Sequence, residues 1–259
     1  MHLDGIMIIN MIKQIITPSS PIRNIPNSFH PFETEGLFGE KFLINKSKGS
    51  WSYGKLKNDG YIGWIRSKDL GEIKKVTHKI SSVSSVVYKE KDFKSALYTL
   101  PFGSLVNVIK EEDIFVKILI NNNFCYLLKR DIMLKNEKLK MKLNKICEKF
   151  LNIPYFWGGK TYMGLDCSSL LQLSLSVLGY KIKRNTSQQI QEKIFMQTSL
   201  EKIKSDDLIF WDGHVAIVKN KIFLIHANAF TMKVSIEPID QTISRLSGNG
   251  LEIKKIVRI

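Results

Sequence analysis

The stretch Pro154–Leu178, PYFWGGKTYMGLDCSSLLQLSLSVL, determines how the rest of the chain is interpreted. Positions 167, 170, 171, 174, 175 and 178 carry Cys, Leu, Leu, Ser, Leu and Leu, which is the spacing of one face of an α-helix. Asp166 stands just before this run, where an N-cap is expected, and Gly179 follows it as a C-terminal stop. The pattern predicts a helix that begins at Cys167.

A cysteine in the first turn of a helix has a special electrostatic environment. The unpaired backbone amides and the positive end of the helix dipole favour a thiolate over a thiol. Glycines at 158, 159 and 164 indicate a loop before Cys167 in which backbone segments can approach closely. The alternative for an isolated cysteine is a small buried residue on a core helix. The choice between them depends on partner residues elsewhere in the chain.

Two histidines supply such partners. Short runs rich in β-forming residues predict strands at 208–211, 214–218 and 222–226. A turn centred on Asn220 places His214 directly opposite His226, with Cβ atoms roughly 4.5–5.5 Å apart. A one-residue slip would put the two side chains on opposite faces. Because the chain has only five histidines, this match indicates a catalytic base and the residue that orients it.

Four motifs in order then give the chain a family resemblance: PYFWGG, LDCSSL, GHVAIV and LIHAN, beginning at residues 154, 165, 213 and 224. With them the segment resembles the NlpC/P60 cysteine peptidases, a papain-like α+β family. The resemblance implies that Cys167 is the nucleophile, His214 the general base and His226 the third polar residue. It also implies that the hydroxyl of Tyr155 lies near the oxyanion.

The N-terminal half contains many short predicted strands between turn signals, the pattern of small β-barrels. LFG at 37–39 and PFG at 101–103 begin two similar runs about 64 residues apart, which suggests two copies of one unit. The first copy resembles a bacterial SH3-like domain through DGYIGWI at 59–65, and the assignment of the second copy rests mainly on the repeat. The predicted fold is α+β, with the following divisions: an N-terminal tail at 1–12, SH3-like domains at 13–72 and 73–134, and a catalytic domain at 135–259.

Two SH3-like domains followed by an NlpC/P60 domain resemble the γ-D-glutamyl-L-diamino acid endopeptidases. In that family the first barrel leans over the catalytic groove, and the resemblance assigns substrate binding to Tyr61, Asp166, Ser168 and Ser187. Trp64 is interpreted as a barrel core residue. Asp166 has two competing interpretations: a helix N-cap worth about 1 kcal/mol, or a carboxylate that recognises the free amine of an N-terminal L-Ala. Asp206 departs from the glycine usual in the family.

The resemblance implies acyl transfer through a thiolate–imidazolium pair of Cys167 and His214, without a metal or organic cofactor. The expected substrate is a small murein peptide such as L-Ala-γ-D-Glu-diaminopimelate. Two alternatives stay open. One is an amidase or acyltransferase on the same papain-like core, and the other is a catalytically vestigial protein that binds cell-wall peptides.

Composition restricts the other function classes. The formal net charge of +15 comes from lysines spread along the chain, so nucleic acid is not an expected partner, although a basic surface suits a substrate with several carboxylates. Three cysteines without metal-type spacing favour a reducing compartment, with Cys125 and Cys147 as packing residues. The apolar run at 6–16 lacks a basic region before it and is too short for a membrane span. A cytoplasmic location without membrane attachment is therefore expected.

Overall fold

The computed structural model describes residues 6–259, and all side chains in that range except those of Ile6 and Ile9. The described chain divides into two compact units. Unit 1 comprises residues 6–137 together with 160–162, and unit 2 comprises residues 138–159 and 163–259. Unit 2 thus begins three residues after the predicted domain start at 135, and unit 1 contains both segments in which SH3-like domains are expected.

Unit 1 is built almost entirely of short strands. They are β1 Ile6–Ile15, β2 Ser19–Ile22, β3 Thr34–Leu37, β4 Lys41–Lys48, β5 Trp51–Leu56, β6 Ile62–Arg66, β7 Leu70–Gly71, β8 His78–Ile80, β9 Ser84–Tyr88, β10 Ala96–Pro101, β11 Leu105–Val106, β12 Val108–Glu111, β13 Phe115–Ile120, β14 Asn123–Leu128, β15 Ile132–Leu134 and β16 Lys160–Thr161. Short 3₁₀ turns lie at Ser67–Asp69, Phe93–Ser95 and Lys129–Asp131.

These strands form antiparallel sheets in two sequence-local groups. Strands before residue 72 form a five-stranded sheet of order β6-β5-β4-β1-β7 and the ribbon β2-β3. Later strands form a five-stranded sheet of order β10-β9-β14-β13-β12 and a three-stranded sheet of order β11-β8-β15. Each group encloses its own apolar cluster, the first around Ile15, Phe42 and Ile65, and the second around Leu100 and Leu127. Alternation along strands such as β4 supplies the inward-facing residues.

The expected N-terminal tail at 1–12 is wrong from Ile6 onward. Residues 6–8 pair with Lys46–Lys48 of β4, and the pairing resumes at Met11 after an irregularity. The physical reason is that this run is rich in β-branched isoleucines, which favour an extended, paired backbone. Residues 1–5 lie outside the described part of the chain.

The two groups of strands repeat the same hydrogen bonds about 64 residues apart. Gly39 and Gly103 both have φ near +80°, a region that disfavours residues with a Cβ. The amide of Gly39 donates to Ile15 O at 2.9 Å, and the amide of Gly103 donates to Ile80 O at 3.0 Å. A second pair of bonds also repeats: Ser20 Oγ donates to Asp69 Oδ2 at 2.5 Å, and Ser85 Oγ donates to Asp131 Oδ2 at 2.9 Å. The internal repeat in the sequence is thus matched by a repeat in backbone geometry.

Unit 2 combines four helices with a six-stranded antiparallel sheet. The helices are α1 Leu143–Cys147, α2 Cys167–Val177, α3 Thr186–Gln189 and α4 Ile239–Gly248, and 3₁₀ turns lie at Glu148–Phe150 and Leu200–Lys202. The strands are β17 Gly164–Leu165, β18 Met196–Thr198, β19 Leu208–Trp211, β20 His214–Val218, β21 Phe223–Asn228, β22 Lys233–Pro238 and β23 Lys255–Arg258. The sheet order is β18-β23-β19-β20-β21-β22.

Helix α2 begins at Cys167, as predicted, and Gly179 beyond its end has φ +90°. Asp166 caps it in a capping box, because its carboxylate accepts from the Ser169 amide while the Ser169 hydroxyl accepts from the Asp166 amide. Ten of its eleven residues are buried, all except Ser176. The helix is therefore a central element of the unit and not a surface helix with one apolar face. None of the helices in residues 6–259 is long and apolar enough to cross a bilayer.

Candidate active site

Cys167 lies at the start of α2 with its sulfur against the first residues of β20. Its Sγ is 3.8 Å from the carbonyl oxygen of Gly213, and the backbone N–H of Val215 hydrogen-bonds to the thiol. These two backbone groups flank His214 in the chain. The start of α2 and the start of β20 thus bring the Cys167 sulfur against the backbone on both sides of His214.

A two-residue turn places His214 at the first position of β20. Strands β19 and β20 pair with Trp211 opposite His214, so Asp212 and Gly213 form the loop, and Gly213 has φ +69°. Asp-Gly is the sequence favoured in such hairpins, because the turn requires backbone angles that glycine adopts without strain.

The two histidines are in contact. Nε2 of His214 lies 2.9 Å from Nδ1 of His226. The predicted register, however, is wrong by two residues. Strands β20 and β21 pair Ile217 with Ile225 and Val218 with Leu224, so paired numbers sum to 442 and not 440. Because side chains alternate with a period of two, this shift keeps both histidines on one face as diagonal neighbours.

Burial decides the protonation of the resting pair. It raises the pKa of the Cys167 thiol to about 12, assisted by the nearby charge of Asp166 and opposed by the Val215 amide. It lowers the pKa of His214 to about 3, with a further contribution from His226. Both shifts favour the neutral thiol and the neutral imidazole. Burial therefore opposes a thiolate–imidazolium pair in the resting protein and acts against the field of the helix N-terminus, which favours the thiolate.

This result predicts the ultraviolet absorbance of the protein. The difference spectrum between the wild-type chain and Cys167→Ala should show no thiolate band at neutral pH, and a band should develop only at strongly alkaline pH. A thiolate band already present at neutral pH would show that the helix dipole and His214 overcome the cost of burial.

Asp166 is saturated with hydrogen-bond donors. Oδ1 accepts from the Ser169 amide at 2.8 Å, the Ser168 hydroxyl at 3.0 Å and Arg184 Nη1 at 2.9 Å. Oδ2 accepts from the Gly158 amide at 2.9 Å and Arg184 Nη2 at 2.6 Å. Burial alone would raise the pKa of Asp166, but Arg184 and these donors lower it overall. A carboxylate has about four lone-pair sites, so a substrate ammonium group would have to displace one of these five donors.

Arg184 ties the loop before α3 to the nucleophile helix. Its side chain is 2% exposed, and Nη1 also lies 2.5 Å from the Ser168 hydroxyl. Gln189 of α3 adds a bond from Nε2 to the Ser168 carbonyl at 3.0 Å. Ser187, predicted to bind substrate, is an exposed residue of α3. From this segment, the hydrogen bonds to Asp166 and Ser168 come from Arg184 and Gln189.

Tyr155 lies close to the cysteine in unit 2. Its backbone forms a β-bridge with Leu165, and its N–H donates a 2.9 Å hydrogen bond to the Met232 carbonyl. Burial raises the pKa of Tyr155 to about 12, and the charges of Cys167 and Asp166 raise it further. The phenol therefore stays protonated at neutral pH and can act as a hydrogen-bond donor.

Two family models match the chain. Residues 152–247 match the NlpC/P60 family, and residues 22–70 match the bacterial dipeptidyl-peptidase SH3 domain. The chain contains an NlpC/P60 domain. The resemblance drawn from the four motifs and from DGYIGWI is thereby confirmed, as is the α+β fold class.

Two relatives are similar to the chain over most of its length. The chain is 26% identical over 233 residues to the gamma-D-glutamyl-L-lysine dipeptidyl-peptidase of Bacillus subtilis, covering 82% of this chain and 77% of that protein. It is 22% identical over 237 residues to the Bacillus cereus protein of the same name, covering 80% and 71%. A solved NlpC/P60 family protein from Bacillus cereus superimposes with a TM-score of 0.84 at 19% identity, covering 96% of this chain and 99% of that one. That structure shows a shared fold.

Sequence reasoning missed two residues next to the predicted catalytic groups of the NlpC/P60 domain. Arg184 neutralises the buried Asp166, and Glu237 of β22 lies 3.3 Å from Nε2 of His226. The need for a cation beside a buried carboxylate could have indicated the first. The second follows from the strand pairing: Ser235 faces His226 and Glu237 comes two residues later on the same face.

Tyr61, Trp64 and Asp206 are the remaining residues that the sequence singled out. Tyr61 is half-buried in unit 1 and packs against the first apolar cluster, and Trp64 is 8% exposed with its ring 5.1 Å from Tyr53. Asp206 has φ +74°, which explains why glycine is usual at this NlpC/P60 position. Its carboxylate accepts from the Asn144 amide at 2.8 Å. Within residues 6–259, no three His, Cys, Asp or Glu side chains are grouped to hold a metal ion.

Proposed function

We propose that the protein is a cysteine peptidase that hydrolyses the bond between γ-D-glutamate and the diamino acid in small murein peptides with a free N-terminal L-Ala. The observation that carries the proposal is the contact chain of the NlpC/P60 domain. The thiol of Cys167 touches the backbone on both sides of His214, and the imidazole of His214 touches His226. These contacts support the roles of nucleophile, base and orienting residue that acyl transfer requires.

The reaction proceeds in two steps through a thioacyl enzyme. Because burial favours the neutral thiol and the neutral imidazole, His214 takes the thiol proton as the sulfur attacks the γ-carbonyl, and the charged pair forms on the reaction path. The backbone amide of Cys167 at the start of α2 meets the developing oxyanion, with the protonated phenol of Tyr155 as the second donor. His214 then gives the proton to the leaving amine, and water releases the dipeptide.

The choice of substrate rests on the relatives and on the groups beside the thiol. Both Bacillus relatives are named for the γ-D-glutamyl-L-lysine bond. We propose that Ser168 and Asp166 receive the free amine of L-Ala, with the ammonium group replacing one of the present donors to the carboxylate. Ser187 belongs to the same proposal, and substrate binding by Tyr61 stays a prediction from the family resemblance. Recycling of murein peptides in the cytoplasm is the corresponding role.

The proposal also includes a second SH3-like barrel at residues 73–134. Its support is the repeated backbone geometry at Gly39 and Gly103 and the repeated serine–aspartate bonds. Its apolar cluster is formed mainly by its own strands, with Phe38 as a contribution from the first group.

Paired digests followed by mass spectrometry test the function. The substrates are L-Ala-γ-D-Glu-diaminopimelate, its L-lysine counterpart, and the first peptide with its amine blocked by a muramoyl group. Only the two free peptides should be cleaved, and L-Ala-D-Glu should be the common product. Equal cleavage of the blocked peptide would refute amine recognition, while no cleavage of any peptide would refute the proposed function.

A further inference from the structure

We infer that Glu237 is a positioning residue of the active site, which sets the tautomers of His226 and His214 so that Nδ1 of His214 is unprotonated and can act as the base. This inference rests on the proposed function, because it concerns how the same cysteine is activated. The starting observation is a buried imidazole nitrogen of the His214–His226 pair that has no role in the proposed reaction.

That nitrogen is Nε2 of His226. The side chain of His226 is 1% exposed, and Nδ1 is occupied by His214. Nε2 makes no aligned hydrogen bond, although Oε1 of Glu237 lies 3.3 Å away. A buried N–H without an acceptor is destabilising, so a small rotation toward the carboxylate is favoured. Glu237 is thus the acceptor available to this atom.

Glu237 is held in place as an ionised carboxylate. Oε1 accepts from Asn228 Nδ2 and from the Ser235 hydroxyl, both at 3.2 Å, and Oε2 accepts from Arg245 Nη2 at 2.7 Å. Burial alone would raise the pKa of Glu237, but the His226 contact and Arg245 lower it overall. The carboxylate therefore offers His226 an acceptor at neutral pH and no proton of its own.

An ionised acceptor at Nε2 determines the positions of the other protons. It requires the Nε2–H tautomer of His226, whose Nδ1 is then an acceptor. Nδ1 of His226 faces Nε2 of His214 at 2.9 Å, so His214 must carry its proton on Nε2. The remaining nitrogen of His214, Nδ1, is then unprotonated. This is the form that can take the thiol proton, and no proton has to reach Glu237 during the reaction.

The substitution Glu237→Gln would reverse these proton positions on the two histidines. Arg245 would draw the amide oxygen of the new glutamine, and the amide N–H₂ would face His226 in place of an acceptor. His226 would shift to the Nδ1–H tautomer, and His214 would carry its proton on the nitrogen that should receive one. We expect kcat/KM to fall about 10²-fold, less than the ~10⁴-fold loss seen when the orienting carboxylate contacts the base itself. The alkylation rate of Cys167 by iodoacetamide should fall in the same direction.

Nitrogen-15 NMR of protein with labelled histidine reads the tautomers directly. The wild-type chain should show His226 and His214 both protonated on Nε2, and the opposite pattern would overturn the inference without any variant. Glu237→Gln should move both protons to Nδ1. Unchanged tautomers in a folded Glu237→Gln variant with lowered activity would mean a merely structural role, and would also overturn it.

Two control variants separate positioning from general damage. Arg245→Met removes the same ion pair but keeps the carboxylate, so the wild-type tautomers should persist. Glu148→Gln makes the same chemical change at another ion-paired glutamate of unit 2, which pairs with Lys145 and Lys219, and should alter neither tautomers nor activity. Because tautomers and alkylation need no peptide, a tautomer shift in a chain that cleaves no murein peptide would refute the proposed function and leave the positioning role intact.

Discussion

Replacing Cys167 by alanine is expected to lower kcat/KM on L-Ala-γ-D-Glu-diaminopimelate by at least about 10⁴-fold, the scale on which enzymes lose activity with their nucleophile. The reason is that no thioacyl intermediate can form, whereas the peptide site and the helix cap remain. The thermal unfolding midpoint should change little, because the capping box at Asp166 does not involve the thiol. The measurement is a steady-state assay of product release, together with a thermal melt of the same preparation.

Cys125→Ala is the matched control. Cys125 and Cys167 are equally exposed, at 6%, and Cys125 lies in β14 of unit 1. The control should keep wild-type activity and alkylation of Cys167. Hydrolysis by Cys167→Ala at more than a few per cent of the wild-type rate would contradict the assignment of the nucleophile.

Replacing Arg184 by methionine is expected to destabilise unit 2 by about 3–5 kcal/mol, since removal of one partner leaves a buried charge without compensation. The side chains of Arg184 and Asp166 are 2% and 11% exposed, and two hydrogen bonds join them. The substitution also removes a donor to Ser168. A fall in the unfolding midpoint of roughly 10 °C or more should result, measured by circular dichroism on the full chain.

A double variant shows whether charge is the cause. Asp166→Asn in the Arg184→Met background removes the uncompensated carboxylate and should restore part of the lost stability, which a double-mutant cycle measures as coupling. Lys181→Met, at an exposed position three residues earlier, should leave the midpoint nearly unchanged. A loss of less than about 1 kcal/mol in Arg184→Met would mean that Asp166 is stabilised mainly by the amides of Gly158 and Ser169.

Local signals were sufficient for the elements that carry the catalytic groups. Helix α2 begins at Cys167 because Asp166 is a capping residue and the following apolar residues recur with helical spacing. His214 begins a strand because Asp-Gly forms a two-residue turn after Trp211. Each depends on residues close in sequence, which is why the chain alone could predict it.

Predictions that depended on longer connections were less accurate. The turn after Val218 was predicted to centre on Asn220, but the observed strand pairing is shifted by two residues. In this turn the side chain of Asn220 accepts from the amides of Ile222 and Phe223, so β21 begins only at Phe223. The histidines stayed on one face because the error equalled the strand period. An error of one residue would have separated them.

The sequence by itself determined the helix that begins at Cys167, the placement of the two histidines on one face and the resemblance to NlpC/P60 domains, since these depend on spacing and local backbone preference. Only the tertiary structure decided the burial of Cys167 and His214 and the partners of the buried charges. Desolvation of Cys167, the cation beside Asp166 and the carboxylate beside His226 come from residues far apart in the chain. Electrostatic effects depend on distance and burial in space, and neither is contained in the order of the residues.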